Sequence, residues 1–195
     1  MQGEKVAPVP KVVIPIADGC EEMEVVICAD ILRRAGAEVC LAGVDGTRAV
    51  TASRGVRLLP DCSWSECADT PMDLLLLPGG AGGVERLRQS ASLRNKIIER
   101  SAGAERVAAI CAAPSLLAEL DVLRDKKVTS YPGALDPQSK DYQFQTATVV
   151  VDGSLTSSRG PGTAMDFALD LVVQLFGRER GMAVETALQR PSVYL

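Results

Sequence analysis

Residues 72–80 read MDLLLLPGG: Met72 and Asp73, four leucines from Leu74 to Leu77, then Pro78, Gly79 and Gly80. A run this apolar and this short, closed by proline and glycine, is a strand with both faces covered, the condition of a strand inside a parallel sheet. Working outward, Lys11–Ile16 (KVVIPI) and Arg106–Ile110 (RVAAI) have the same character, and Glu38–Val44 (EVCLAGV) is a further strand. Between them the spacing predicts a helix over Glu21–Ala35, with Met23, Ile27 and Ile31 on one face and Gly36 as its stop. It also predicts one helix from about Val84 to Arg100 and another over Ser115–Leu120. Arg48–Leu59 reads as two short extended runs around Ser53-Arg54-Gly55. Lys127–Ser130 and Thr146–Val151 read as strands, and Asp152-Gly153 as a two-residue hairpin turn into Ser154–Ser157. Thr163 and Asp166 form a capping-box-like pair. The helix they open carries Asp166, Asp170 and Gln174 as one polar stripe and stops at Gly177; a last helix covers about Arg178–Gln189. Strands alternating with helices specify an α/β sandwich around a mostly parallel sheet.

The 195 residues suit one domain, taken as residues 11–195 behind a short flexible lead-in, Met1–Pro10. Lys and Arg total 21 against 25 Asp and Glu, a net charge of −4 with no basic stretch, which argues against a specific nucleic-acid partner. No run of about 20 apolar residues exists, so no membrane-spanning helix is expected. The chain has no histidine, which excludes Ser-His-Asp and Cys-His catalysis and every His-bearing zinc site. The six cysteines are Cys20, Cys28, Cys40, Cys62, Cys67 and Cys111. There is no C-x-x-C, and the four residues between Cys62 and Cys67 match zinc spacing poorly, so no metal is expected. Reduced thiols in a cytoplasmic setting follow, most of them small apolar fillers.

In such sheets ligands bind beyond the carboxyl ends of the strands. Three ends carry chemistry here. Ala108–Pro114 (AAICAAP) sets Cys111 at a direct strand-to-helix junction between small residues, the layout of a nucleophile elbow. A helix N-terminus there predicts a lowered thiol pKa; a buried filler cysteine fits the same spacing. Asp18–Glu24 (DGCEEME) gathers carboxylates at the end of the first strand, read either as a solvated first turn or as acid–base material. Leu77–Gly83 (LPGGAGG) lets backbone N–H groups approach a ligand or makes a plain turn; it lacks the Walker pattern. Ser157–Thr163 (SSRGPGT) reads as a rigid turn or as an anion site before the long helix.

Taken in order, GCEEMEVV, ADILRRAG, SRGV, LLLPGG, AAICAAP and TSSRGPGTAMDFAL resemble the DJ-1/ThiJ/PfpI superfamily in its Parkinson-disease-protein branch, over about Lys11–Phe176. The resemblance implies a flavodoxin-like three-layer sandwich and a homodimer. It implies that Cys111 is the elbow nucleophile, and that Glu24 is the general acid/base, a protonated glutamate bonded to the cysteine sulfur. The backbone N–H groups of Gly80 and Ala112 would form the oxyanion hole. Arg54 would lie near the dimer interface with Glu21 and Asp30. It further implies a cofactor-independent glyoxalase or deglycase acting on methylglyoxal or its early adducts, with oxidative-stress protection. The alternative is a non-catalytic redox sensor or chaperone whose cysteine oxidises to a sulfinate. Many members of the family have a histidine where Tyr131 stands, which removes protease and glutaminase readings and leaves Tyr131 as a pocket residue.

Overall fold

The computed structural model describes residues 8–190; most of the expected lead-in lies outside them. In chain order the elements are β1 (Lys11–Ile16), α1 (Glu22–Ala35), β2 (Glu38–Gly43), β3 (Val50–Thr51), β4 (Arg57–Leu58), β5 (Cys62–Ser63), α2 (Trp64–Cys67), β6 (Leu74–Leu77), α3 (Ala81–Gln89), α4 (Ala91–Ala102), β7 (Val107–Ile110), α5 (Pro114–Glu119), β8 (Lys127–Val128), β9 (Gln143–Phe144), β10 (Val149–Asp152), β11 (Leu155–Ser158), α6 (Ala164–Phe176) and α7 (Arg178–Ala187). A short 3-10 turn over Pro161–Thr163 precedes α6.

The main sheet has the order β10-β11-β7-β6-β1-β2-β5, and every neighbouring pair is parallel except β10–β11. The leucine run shows why it had to be covered twice. Leu74 and Leu76 join Val12, Ile14 and Ile16 in a core under α1, α6 and α7, whereas Leu75 and Leu77 join Val13, Val107 and Ala109 in a second core under α2, α3, α4 and α5. Successive side chains of a strand point to opposite faces, so one tetraleucine strand serves both cores. The result is the flavodoxin-like α/β sandwich. Because β2 and β6 flank β1 on opposite sides, the direction of sheet growth reverses there, and the crevice beyond the ends of β1, β6 and β7 is where such folds hold ligands.

Four expectations are corrected. The helix expected from Val84 to Arg100 is two helices, because Ser90 leaves helical geometry (φ −79°, ψ 102°) and its side chain caps α4 by accepting the Leu93 N–H. On α1 the inward face is Glu22, Val25, Cys28, Ala29, Ile31, Leu32 and Ala35, spaced three and four apart, so Met23 points to solvent. Asp152 pairs with Leu155, so the hairpin turn is Gly153-Ser154, one residue later than expected, with Gly153 at φ +60°. Thr163 forms no capping box with Asp166; its hydroxyl is taken up by Gly160 and Ser158. The two runs around Ser53-Arg54-Gly55 pair as the antiparallel β3–β4 hairpin, as expected, and β8 lies within the strand expected at Lys127–Ser130, but β5 with α2, and β9 as the partner of β8, were not anticipated. Among the described residues no helix is long and apolar enough to cross a membrane.

Candidate functional site

Gly79 is the point on which the site is built. Its N–H donates to Glu24 Oε2 at 2.7 Å, and its carbonyl accepts the Glu21 N–H at 3.0 Å. A Cβ on Gly79 would stand 2.5 Å from Cys111 Cβ, 3.0 Å from Cys111 Sγ and 2.8 Å from Glu24 Oε2. The thiol and the carboxyl are therefore neighbours across a residue that can have no side chain. Gly80, the next residue, adopts φ +83°, and a Cβ there would meet the Gly19 carbonyl oxygen at 2.3 Å. The turn after β6 is thus pressed into the turn after β1. We expect Gly79→Ala to destabilise the fold by ~1–3 kcal/mol through overpacking, and to reduce any Cys111-dependent turnover by about 10²-fold through displacement of the two groups. Thermal denaturation and steady-state rates on the same preparation check both parts.

Cys111 occupies the junction between β7 and α5 with φ +63°, a left-handed backbone that side-chain-bearing residues seldom adopt. The junction is clamped on both sides. Its N–H donates to the Ser158 carbonyl at 3.0 Å, and its carbonyl accepts the Tyr131 N–H at 2.9 Å. Pro114 then opens α5. Glu24, in the first turn of α1, is fully buried, and its Oε1 has no hydrogen-bond partner among the described residues. Burial pushes the Glu24 carboxyl up to about 7, with a contribution from the Glu21 charge, while the Gly79 N–H and the Cys111 side chain pull the other way.

The expected lowering of the Cys111 thiol is overturned. Burial, and then the Glu24 charge, push it up to about 12, against the N–H groups of Gly80 and Ala112, which favour the thiolate. α5 is six residues long and begins three residues beyond the sulfur, so its dipole does not offset desolvation. The resting pair is a thiol beside a carboxyl that is near half-protonation at neutral pH, and two negative charges are not held together there. The backbone N–H groups of Gly80 and Ala112, the pair expected to form an oxyanion hole, lie against the Cys111 sulfur and favour its thiolate.

The remaining expected residues are more scattered. Tyr131 is half-exposed, and its ring lies over Gly160 while its backbone clamps Cys111. We expect Tyr131→Phe to lower turnover by less than about tenfold, since the ring over Gly160 and the backbone N–H that clamps Cys111 are both kept by phenylalanine; kcat for the two proteins checks this. Glu21 lies beside the β3–β4 hairpin, its Oε2 2.8 Å from the Ser53 hydroxyl. Asp30 instead pairs with Arg34 on its own helix at 2.6 Å. Arg54 is exposed, and among the described residues its side chain has no ion-pair partner.

Glu22 is the residue that sequence reasoning passed over. It is buried, and its carboxylate accepts the Arg54 N–H at 2.8 Å and lies 2.8 Å from the Ser53 hydroxyl. Burial pushes its carboxyl up, but its own N–H, the Ser53 hydroxyl and the N–H groups of Arg54 and Val56 outweigh that and hold it below the usual range. The available signal was two acids, Glu22 and Glu24, in one first turn directly behind Glu21 at the N-cap.

A model of the DJ-1/PfpI family matches residues 10–174. The chain belongs to the DJ-1/PfpI family. Protein dj-1beta of Drosophila melanogaster is 42% identical over 174 residues, covering 89% of this chain and 93% of that protein. The crystal structure of Drosophila melanogaster DJ-1beta superposes with a TM-score of 0.91 at 40% identity, covering 95% of this chain and all of that one. The structure titled Toxoplasma gondii DJ-1, oxidized, gives 0.89 at 35% identity, covering 94% of this chain and 100% of that one. The Glutathione-independent glyoxalase DJR-1.2 of Caenorhabditis elegans is 28% identical over 169 residues, covering 87% of this chain and 89% of that protein. The DJ-1/PfpI assignment rests on nearly the whole described chain, with Glu24, Gly79 and Cys111 inside the matched region.

Proposed function

We propose that this DJ-1/PfpI protein is a cysteine-dependent glyoxalase acting on methylglyoxal or its early adducts without a cofactor. The observation that carries the reading is the contact of Cys111 and Glu24 over Gly79. A carboxyl near half-protonation can both take and return a proton at neutral pH. In the first step Glu24 accepts the thiol proton as sulfur attacks the aldehyde carbon of methylglyoxal, giving a hemithioacetal. The developing negative oxygen faces the N–H groups of Gly80 and Ala112. Glu24 then moves a proton from the former aldehyde carbon to the neighbouring ketone carbon, which leaves a thioester of lactate on Cys111. Water cleaves the thioester, so methylglyoxal plus water yields lactate and the free thiol, with no net oxidation. The name of the nematode relative supports the reaction class. The test is lactate formation from methylglyoxal with glutathione excluded. Stoichiometric modification of Cys111 without repeated turnover would overturn the reading.

A second reading is supported by the buried Glu24 Oε1 that lacks a partner and by the oxidised parasite relative. In it two equivalents of peroxide oxidise the Cys111 thiol to a sulfinate and are themselves reduced to water, and the sulfinate oxygen accepts a hydrogen bond from protonated Glu24. The two readings separate on turnover.

We also propose a homodimer through the α1 and hairpin surface. Met23, Val26 and Val56 are exposed large apolar side chains. They stand on α1 and the β3–β4 hairpin, two elements that Glu22 ties together, and the exposed Arg54 lies beside them. Light scattering at micromolar concentration is expected to give about twice the chain mass. A monomer would overturn the interface and leave the chemistry standing.

A further inference from the structure

Away from Cys111, at the β5 edge of the sheet, three other cysteines meet. The sulfurs of Cys40, Cys62 and Cys67 all lie within 4.8 Å of one another, and Cys40 Sγ is 3.0 Å from Cys62 Sγ. Topology explains the meeting. β5 pairs with β2 so that Cys62 faces Ala42; Cys40, two residues earlier, projects from the same face. β5 runs directly into α2, whose single turn returns Cys67 to that side. The turn is fixed by reciprocal Ser63–Glu66 capping and by buried Trp64, whose indole N–H donates to Ser92 at 3.0 Å. Cys67 is buried, whereas Cys40 and Cys62 are half-buried. Beside them opens a cavity of about 200 Å3 whose lining includes Lys11, Glu38, Cys40, Cys67, Thr70 and Pro71.

We propose that Cys40, Cys62 and Cys67 form a three-coordinate thiolate site for a soft monovalent ion, cuprous copper. The donor set is three sulfurs with no nitrogen or carboxylate oxygen among them, which selects soft ions over magnesium, calcium or manganese. Structural zinc takes four ligands, and among the described residues this group ends at three. With metal–sulfur bonds of about 2.3 Å, three sulfurs around a central ion stand about 4 Å apart. The Cys40–Cys62 pair therefore opens by about 1 Å on binding, a small rotation of two half-buried side chains. A direct disulfide between them fits less well. Their offset of two residues from direct register places the Cα atoms near or beyond the ~7 Å limit of a bridge. On binding, each ligating thiol releases its proton to water, and the ion keeps its oxidation state, so no electrons move. The cavity supplies the entry path. Sequence spacing hid the site because Cys40 lies far from Cys62 and Cys67 along the chain.

The test is an anaerobic titration of the reduced protein with Cu(I) against a chromophoric Cu(I) chelator, followed by alkylation and peptide mapping. The expected result is about one Cu(I) per chain, with Cys40, Cys62 and Cys67 protected together and Cys111 still alkylated. Cys111→Ser should bind equally, and Cys62→Ser should bind at least about 100-fold more weakly. Protection of Cys111 in their place would overturn the site, as would loss of binding in Cys111→Ser or recovery of a Cys40–Cys62 disulfide in protein that takes no copper. Zn(II) protecting the three thiols where Cu(I) does not would overturn the choice of ion. The mapping arm uses the unaltered chain, so it stands whether or not a variant folds.

Discussion

Cys111→Ser is expected to form lactate from methylglyoxal at least ~10³-fold more slowly than the parent, with glutathione excluded from both. A hydroxyl is a far weaker nucleophile than sulfur unless a strong base activates it. The base here is a carboxyl that burial lifts only to about 7, and the chain has no histidine to substitute for it. Glu24→Gln is the companion experiment. The amide can still accept the Gly79 N–H through its oxygen, but it cannot take the thiol proton or carry a proton between carbons. Turnover should fall by ~10²–10⁴-fold, the usual worth of a positioned acid–base group. Peroxide oxidation of Cys111 should persist, because it needs no proton shuttle between carbons. Serine at 111 with more than a tenth of the parent rate would show that the nucleophile lies elsewhere. Unchanged turnover in Glu24→Gln would remove the proton-transfer role and leave the geometry unexplained.

Raising the pH from 5 to 8 should cost the protein stability, and Glu24→Gln should abolish most of that loss. The Glu24 carboxyl titrates near 4.5 when unfolded and at about 7 when folded. Between those values the folded state holds the extra proton, so unfolding stability falls as pH rises through the window and levels above about 7. The shift is worth ~3 kcal/mol, or roughly 6–12 °C for a chain of this size. The window is unusually clean because there is no histidine to titrate inside it. Urea unfolding at pH 5, 6, 7 and 8 on both proteins measures the difference directly. A parent protein as stable at pH 8 as at pH 5 would mean that Glu24 ionises freely and that the cleft is wetter than its burial indicates.

The strands were legible because their chemistry is local. Lys11–Ile16 matches β1 residue for residue, and the leucine run announces two covered faces without help from the rest of the chain. Helix stops at Gly36 and Gly177 were legible for the same reason, since glycine at those ends adopts backbone that other residues resist. Ser90 was not, because a serine inside an apolar period is ambiguous until its side chain turns back to cap the next helix. Cys111 and Glu24 could be picked out by motif, but what they experience could not. The helix-start argument for an acidic thiol considers the chain on either side of Cys111. The burial that reverses it, and the Glu24 charge that adds to it, exist only once distant segments of the chain have closed over the sulfur. Glu22 and the three-sulfur cluster escaped for a related reason: each is made by pairing segments that no period or spacing connects.

The left-handed backbone at Cys111 has an implication for descent. Holding a residue with a Cβ at φ +63° costs on the order of 1–2 kcal/mol relative to glycine. Glycine or asparagine would therefore be easier for the β7–α5 junction to accommodate than the residue that carries the sulfur. If a gene copy of this protein were released from whatever Cys111 does, position 111 should be among the first to change, and it should drift toward glycine or asparagine rather than toward alanine or serine. Retention of cysteine at so unfavourable a place would then mark which copies still perform the thiol's task.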